Sequence, residues 1–526
     1  MDTISYIKCG NENCPIDAVT VNGVTLTSIC SYYNPANNIM YFFKSAEDKN
    51  TFIADKTQTS LALFSTEVSD YIEFKDPNVK SVMAANFGDG TGVTYARAKR
   101  QLSMSSVFTD NSNISVFDEF KYFTGTTSMF EAFKNSSIKK ITLPKGVTWT
   151  NNGSAFGLIF YGCTQLQEID FADFTRSSAA FAGQFQVFSS CSSLTTLHFD
   201  SIEQINNLQK NTYTQSDVPF GYNSGAHKVY VQNDMYEDEL LTNLVIPNSI
   251  TAIRTAAFYR FNCITSVTIP DTVTSIGDYA FYQCYGISSL TLSNNLTSIG
   301  QYAFHTCTGL TSITLPSTLT SIGVYALNSC SNLQSLTIPS SVSNVNIDSI
   351  GGACTNTGGT IIIEGNLTQN RGWETFQGKD IIIKGNVTLK QTTPWCAVSK
   401  VETLRIMGNI SYTVNNGNIW FAYSSSAKAK FIELMGVVNG TVGRIANTST
   451  CLNAGGAILH LGYNGIAMTP SQAAVEYSTM TKVYVGPGES QAGDQAILDL
   501  YLADSSWAQY SSKLDLWYNY NGIYKN

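Results

Sequence analysis

"LTSITLPSTLTSIGVYALNSC", residues 310–330, contains no acid, no base and no histidine, and nearly the same sentence recurs through the chain. Leu241, Ile264, Ile287, Leu310 and Leu333 open successive copies, each 23 residues after the last. Every other landmark keeps step. Pro247, Pro270, Pro316 and Pro339 recur with Ser293 in the remaining place, followed by Ile253, Ile276, Ile299 and Ile322. The pairs Ala257-Phe258, Ala280-Phe281, Ala303-Phe304 and Ala326-Leu327 come next, then Cys284, Cys307 and Cys330. Self-similarity at a fixed short period marks a solenoid, because a unit this small cannot bury its apolar face alone and is completed by its neighbours.

Within each unit "SVTIP", "SLTLS" and "SITLP" alternate apolar and polar residues over β-branched positions, the pattern of a short strand with one buried face. A unit with one such strand must return to start the next in the same direction, so the strands stack as a parallel ladder with Gly or Pro corners. Gly277, Gly300 and Gly323 follow the second apolar cluster, where a positive φ is expected. The Ile, Phe and Cys columns read as core, with the cysteines as free thiols rather than a disulfide framework. Upstream, "IKKITLP" (138–144), "LQEIDF" (166–171) and "LTTLHF" (194–199) repeat the strand. Downstream, strands end at Gly365, Gly385, Gly408, Gly436, Gly462 and Gly486, at intervals of 20 to 28 residues. The segment 491–520 turns to helical spacing at Ile497, Leu498, Tyr501 and Leu502, with Trp507 and Trp517 behind, as an end cap should.

Charged residues are only 13% of the 526, so the surface must be polar and largely uncharged. A net charge of -8 without any basic run offers nothing to hold phosphates, which argues against nucleic acid as a partner. No apolar run reaches the roughly 18 residues of a membrane span, and the opening "MDTISYIKCGNENCP" lacks the basic start and apolar core of an export signal.

At these residues the chain resembles the BspA-type leucine-rich repeat family, surface and adhesive proteins of gut and oral bacteria with relatives in protozoa and phages. Three stretches carry the resemblance over residues 70 to 526: the "LxxITLPxxLTSIGxYAFxxC" units, the upstream "ISVFDEFKYFTGTTSMFEAF", and the closing "VYVGPGES" followed by a Trp- and Tyr-bearing helix. It implies a leucine-rich repeat solenoid with a parallel β-ladder, irregular rungs towards the C-terminus and a helical cap. Four segments are expected: a small β-rich attachment domain (1–69), a helical connector (70–125), the solenoid (126–486) and the cap (487–526). Relatives often carry a calcium-loop-like insert in the connector. Here the matching stretch "NFGDGTGVTYARA" (86–98) keeps only Asp89 among its acids and has Arg97 where the closing Glu falls, so no metal is expected.

Little in the chain points to catalysis. His198, His227, His305 and His460 are scattered over different repeat positions, outside any nucleophile motif. Asp234, Glu237, Asp238 and Glu239 form a single acidic run, whereas a glycosidase pair comes from separate strands converging in a cleft. "GDGTG" near residue 88 lacks the Lys and Ser/Thr of a phosphate loop. No enzyme and no cofactor are expected. The outward columns are the candidates for recognition: Thr268, Thr291, Thr314 and Thr337 at strand centres, Tyr279, Tyr302 and Tyr325 before the Ala-Phe pairs, and a second column of Tyr259, Tyr282 and His305. Their bland readings are strand propensity and corner packing. Their functional reading is an uncharged surface whose aromatic faces and hydroxyls suit a glycan or a flat protein surface on a host cell.

Three functions follow from these features. The first is a recognition protein displayed on a virion, as a phage fibre or decoration, attached to its carrier through residues 1–69. The second is a bacterial cell-surface adhesin whose export signal has been removed. The third is a polysaccharide-active enzyme, which a deep cleft with paired carboxylates would support. Homo-oligomerisation is compatible with all three.

Overall fold

Ser266, Val267 and Thr268 lie opposite Ser289, Leu290 and Thr291 in a parallel ladder, so the 23-residue period is also the strand register. The computed structural model describes residues 16–21, 24–34, 39–43, 45–55, 57, 62–67, 71–88, 90–100, 102–144, 148–149, 158–171, 175–176, 188–207, 227–232, 238–369, 379–390, 402–412, 431–436, 438–439, 458–461, 482–485, 491–503, 511–512 and 514–516. The chain divides into two units, Met1–Arg100 and Gln101–Asn526.

In the first unit β1 (Ile16–Val21), β2 (Val24–Asn34), β3 (Ile39–Phe43) and β4 (Ala62–Glu67) form an antiparallel meander. Helix α1 (Ala46–Ala54) starts at Ser45, whose hydroxyl accepts from the Asp48 amide at 3.1 Å and so satisfies one orphan donor of the first turn. It buries Phe52 with its ring centroid 4.5 Å from that of Tyr41. Helix α2 (Pro77–Phe87) is capped by Asp76 and carries Pro in its first turn, and α3 (Tyr95–Ala98) is capped by Thr94. Asp89 lies outside the described residues, and Arg97 is exposed.

The second unit is a parallel-strand β-solenoid with three rows per turn. In the first row five parallel strands from Val116–Phe117 to Lys228–Gln232 are closed by the antiparallel Asp238–Leu240. A three-stranded group follows (Asn243–Val245, Ser266–Thr268, Ser289–Thr291), then an eight-stranded one from Ser335–Ile338 to Leu514–Leu516. The second row holds Ala252–Ile253, Ser275–Ile276, Ser298–Ile299 and Ser321–Ile322, and then five strands from Asn344–Asn346 to Val438–Asn439. Each expected proline opens its corner: Pro247, Pro270, Pro316 and Pro339 accept from the amide three residues on, at 3.0 to 3.1 Å.

The third row is a column of turns. Tyr279, Phe281 and Gln283 donate their amides to Gln301, Ala303 and His305 of the next turn, at 2.8 to 2.9 Å. The amides of the intervening Ala280 and Tyr282 point back to the carbonyls three residues earlier. This alternation forces left-handed backbone at two positions per repeat, Tyr279, Tyr302 and Tyr325 (φ +55 to +60°) and Gln283, Thr306 and Ser329 (φ +55 to +61°). Such backbone costs about 1 kcal/mol or more at a non-glycine residue and persists because the ladder over-determines it.

The core sits inside the three rows. Phe258, Phe281 and Phe304 stack at 5.2 Å, and Phe133, Phe160 and Phe188 do the same upstream at 5.3 and 5.5 Å. The buried thiols of Cys284, Cys307 and Cys330 donate to the carbonyls of Phe258, Phe281 and Phe304 at 3.0 to 3.2 Å. Burial pushes these thiols up, away from thiolate chemistry.

The expected positive φ at Gly277, Gly300 and Gly323 is not found; the left-handed residues are the tyrosines two positions later. Glycine is required there for a steric reason. A Cβ on Gly300 would stand 2.5 Å from the amide nitrogen of Asp278 and 2.6 Å from the carbonyl carbon of Gly277, both backbone atoms of the preceding turn. Gly300→Ala is therefore expected to lower the melting temperature by several degrees, read by circular dichroism, whereas Ala at the exposed Gln301 should not.

The closing segment forms a helix, Gln491–Ala503, that buries Ile497 and Tyr501 and leaves Leu502 exposed. Trp507 and Trp517 lie outside the described residues. Leu514–Leu516 pairs in parallel with Lys482–Val485, so the segment adds a further strand to the ladder as well as a helix.

Candidate functional site

The outward side of the first row between residues 243 and 338 carries no charge. Alternation turns Val267 and Leu336 inward and Thr268 and Thr337 outward. Thr268 pairs with Val245 and Thr291 in register, and Thr291, Thr314 and Thr337 are exposed like Thr268. Among the described residues, no hydrogen bond engages these four hydroxyls. That sets them apart from the corner column Thr274, Thr297 and Thr320, whose hydroxyls donate to the preceding turn at 2.9 to 3.4 Å. Thr314 departs from the expectation in one respect, since residues 311–316 form no strand.

The tyrosine columns are built differently. Tyr279, Tyr302 and Tyr325 stack face to face at 4.7 Å, and Tyr259, Tyr282 and His305 at 4.9 and 5.1 Å. Tyr282 also meets Tyr279 and Tyr302 at a tilt, so the two columns form one aromatic seam. Tyr259 is buried, and the other five rings are half-buried. The expectation that the ring faces are open for stacking on a ligand is corrected: each inner face is already occupied by the next turn, and edges are what the seam presents. Burial pushes the Tyr259 hydroxyl up to about 12 and the His305 imidazole down to about 4, so both are neutral at physiological pH. Arg260 lies over the Tyr259 ring at 5.5 Å and donates to Gln283 at 2.8 Å.

The histidines are less scattered than their sequence positions. His198 Nδ1 lies 2.7 Å from Asp238 Oδ2, and Nε2 lies 3.2 Å from Glu168 Oε1, off the hydrogen-bonding direction. Lys140 Nζ sits 2.8 Å from the same Glu168 oxygen, and the imidazole stacks on Tyr230. Asp238 thus ties the antiparallel strand back across Lys228–Gln232. Glu168 and Asp238 are each paired with a basic side chain on the sheet face. Asp234 and Glu237 lie outside the described residues.

A second polar column lies in the Thr337 register itself. Thr337 is followed by Ile362, Ile382, Arg405, Glu433, His460, Tyr484 and Asp515, one from each later strand. Glu433 and His460 are buried, with Glu433 between Arg405 Nε at 2.5 Å and His460 Nδ1 at 2.8 Å. Burial raises the Glu433 carboxyl, but the hydrogen bonds and charges of His460 and Arg405 outweigh it and leave it below its ordinary value. Sequence reasoning missed this set. Its signal is there when "LRI" (404–406), "IEL" (432–434), "LHL" (459–461) and "VYV" (483–485) are set side by side: one polar residue falls between two apolar ones each time. Among the described residues, no group of three or more His, Cys, Asp or Glu is placed to hold a metal, and no helix is long and apolar enough to cross a membrane.

The BspA type leucine-rich repeat region model matches residues 105–218 and 229–354, in six copies. Solved structures with similarity include a leucine rich cell surface protein from Faecalibacterium prausnitzii (16% identity, 65% of this chain and 95% of that one, TM-score 0.25). A leucine-rich repeat protein from Bacteroides ovatus matches at 16% identity over 69% of this chain and 93% of its own, TM-score 0.27. The pneumococcal vaccine antigen PcpA matches at 15% identity over 73% and 68%, TM-score 0.24. No curated protein matches the chain.

Proposed function

We propose, from the premise that the repeat region belongs to the BspA-type leucine-rich repeat family, that this chain is a non-enzymatic recognition and adhesion protein working outside the cell that makes it. The observation that carries the reading is the row of Thr268, Thr291, Thr314 and Thr337, exposed on a charge-free face with hydroxyls that bond to none of the described residues. Such a face cannot select by ion pairing. It suits a neutral, hydrogen-bonding surface, either a glycan or main-chain-rich protein on a host cell. The tyrosine seam of the turn row offers a second uncharged, hydroxyl-bearing surface. Display on a virion, with residues 1–69 as the attachment module, and display on a bacterial surface are both consistent with this role.

The test separates hydroxyls from packing. Replacing the four threonines by Val keeps strand propensity and removes the hydroxyls. At about 0.5 to 1.5 kcal/mol per hydrogen bond, binding on a glycan array and to whole cells should fall at least about tenfold with melting unchanged. Binding equal to the parent's would sink the reading. Tyr279→Phe, Tyr302→Phe and Tyr325→Phe together remove the hydroxyls but keep the stacking, and should weaken binding. The corresponding Ala triple should also melt earlier, since each stacked pair contributes roughly 0.5 to 1.5 kcal/mol.

A further inference from the structure

Both β rows of the solenoid break within one repeat. In the first row Ser289–Thr291 ends its three-stranded group, and Ser335–Ile338 begins the eight-stranded one; residues 311–316 between them form no strand. In the second row Ser321–Ile322 ends its group and Asn344–Asn346 begins the next. Single bonds still cross, such as the Gln334 amide to the Thr311 carbonyl at 3.0 Å. The turn row does not break: Tyr302, Phe304 and Thr306 donate to Val324, Ala326 and Asn328 at 2.8 to 3.0 Å, and Tyr325, Leu327 and Ser329 donate onward at 2.8 to 3.1 Å.

The packing loosens at the same place. In the first row Val267, Ile269, Leu336 and Ile338 are buried on either side, but Leu290, Leu292 and Ile313, at the equivalent inward positions, are only half-buried, Leu315 alone staying buried; in the second row Ile322 is half-buried where Ile253, Ile276, Ile299 and Val345 are buried. Composition does not account for this, since Val, Leu or Ile stands at every one of these positions. Nor does the Ser293 substitution remove the corner, for the Leu296 amide still closes on the Ser293 carbonyl at 3.3 Å.

We propose that residues 311–334 are a joint: the blocks 241–309 and 335–369 tilt about the unbroken turn row, and the two β rows open and close opposite it. Ladder bonds and core burial are what resist such a tilt, and both are reduced on the two β rows while the turn row keeps its full set of cross-turn bonds. Thr314 stands at the middle of the opening. The joint follows from backbone and packing alone and holds whether or not the threonine face binds anything.

Amide hydrogen exchange on the full chain tests it. Ser312, Ile313 and Thr314 should exchange at least about tenfold faster than Val267, Thr268, Leu336 and Thr337 at one pH, because local opening needs less free energy where fewer contacts are lost. Equal protection across these positions overturns the joint. A pair of cysteines separates tilting from local fraying. Adjoining parallel strands stand ~4.8 Å apart, within the span of a disulfide. Thr291→Cys with Thr314→Cys should oxidise and slow exchange at 312–314 to the flanking rate, whereas Thr268→Cys with Thr291→Cys, inside one block, should leave it fast. If the cross-joint pair forms and exchange stays fast, or if it fails to form where the within-block pair does, the two blocks do not close on each other and the proposal fails.

Discussion

Ile299→Asp is expected to unfold the central repeats. Ile299 is 1% exposed and lies in register between Ile276 and Ile322 in the second row. A carboxylate there meets aliphatic side chains on both sides along the column, and an ionised group buried without a partner costs far more than a lost methylene. The loss should exceed about 4 kcal/mol, the range reserved for severe core lesions. Because each repeat is stabilised by its neighbours, the damage spreads to the adjoining turns instead of staying at one residue. The expected readings are a collapsed or split thermal transition by circular dichroism and rapid proteolysis between residues 250 and 330. Ile299→Val, which trims one methylene, should cost only about 0.5 to 1.5 kcal/mol and serves as the control. A parent-like melt for Ile299→Asp would mean that the column does not face the core.

Columns of this kind were legible in the sequence because the period is strict. Wherever Leu241, Ile264, Ile287, Leu310 and Leu333 keep 23-residue steps, the register, the Pro corners and the cysteine column all follow. What the period could not reveal is backbone conformation. The glycines two positions before the tyrosines suggested positive φ, but identity of spacing says only that a residue type is required, not why. Here the requirement is the close approach of the preceding turn, and the left-handed strain falls on Tyr279, Tyr302 and Tyr325 instead. The same blindness affected the candidate site. A repeating aromatic marks a ladder, yet only the 4.7 Å separation shows that the ladder consumes its own faces. The break at 311–316 was illegible in principle, since "LTSITLP" there is as regular as any other copy. Conversely, the irregular spacing after Gly365 hid a register that is in fact continuous, and with it the row Arg405, Glu433 and His460.

That row yields the other large effect. Glu433→Ala is expected to destabilise the C-terminal strands by about 3 to 5 kcal/mol, because it strips a carboxylate from between two basic groups and leaves the buried His460 without its acidic partner. Glu433→Gln keeps the shape and one acceptor and should cost less. The difference between the two substitutions reports how much of the effect is charge and how much is the void. The pH dependence has a definite sign. The folded carboxyl is held below its ordinary value of 4.5 by His460 and Arg405 against the opposing pull of burial. Ionised Glu433 therefore stabilises the fold fully above the unfolded carboxylate's pKa, and this contribution is lost as pH falls through the lower folded value. Urea titrations of the parent should show stability declining as pH is lowered below about 4.5. In Glu433→Gln that part of the decline should disappear, so the gap between parent and variant should narrow in acid and be widest near neutrality. Should the gap stay constant from neutral pH down to strongly acidic conditions, the carboxylate would not be ionised between its two partners, and the row would be held by packing alone.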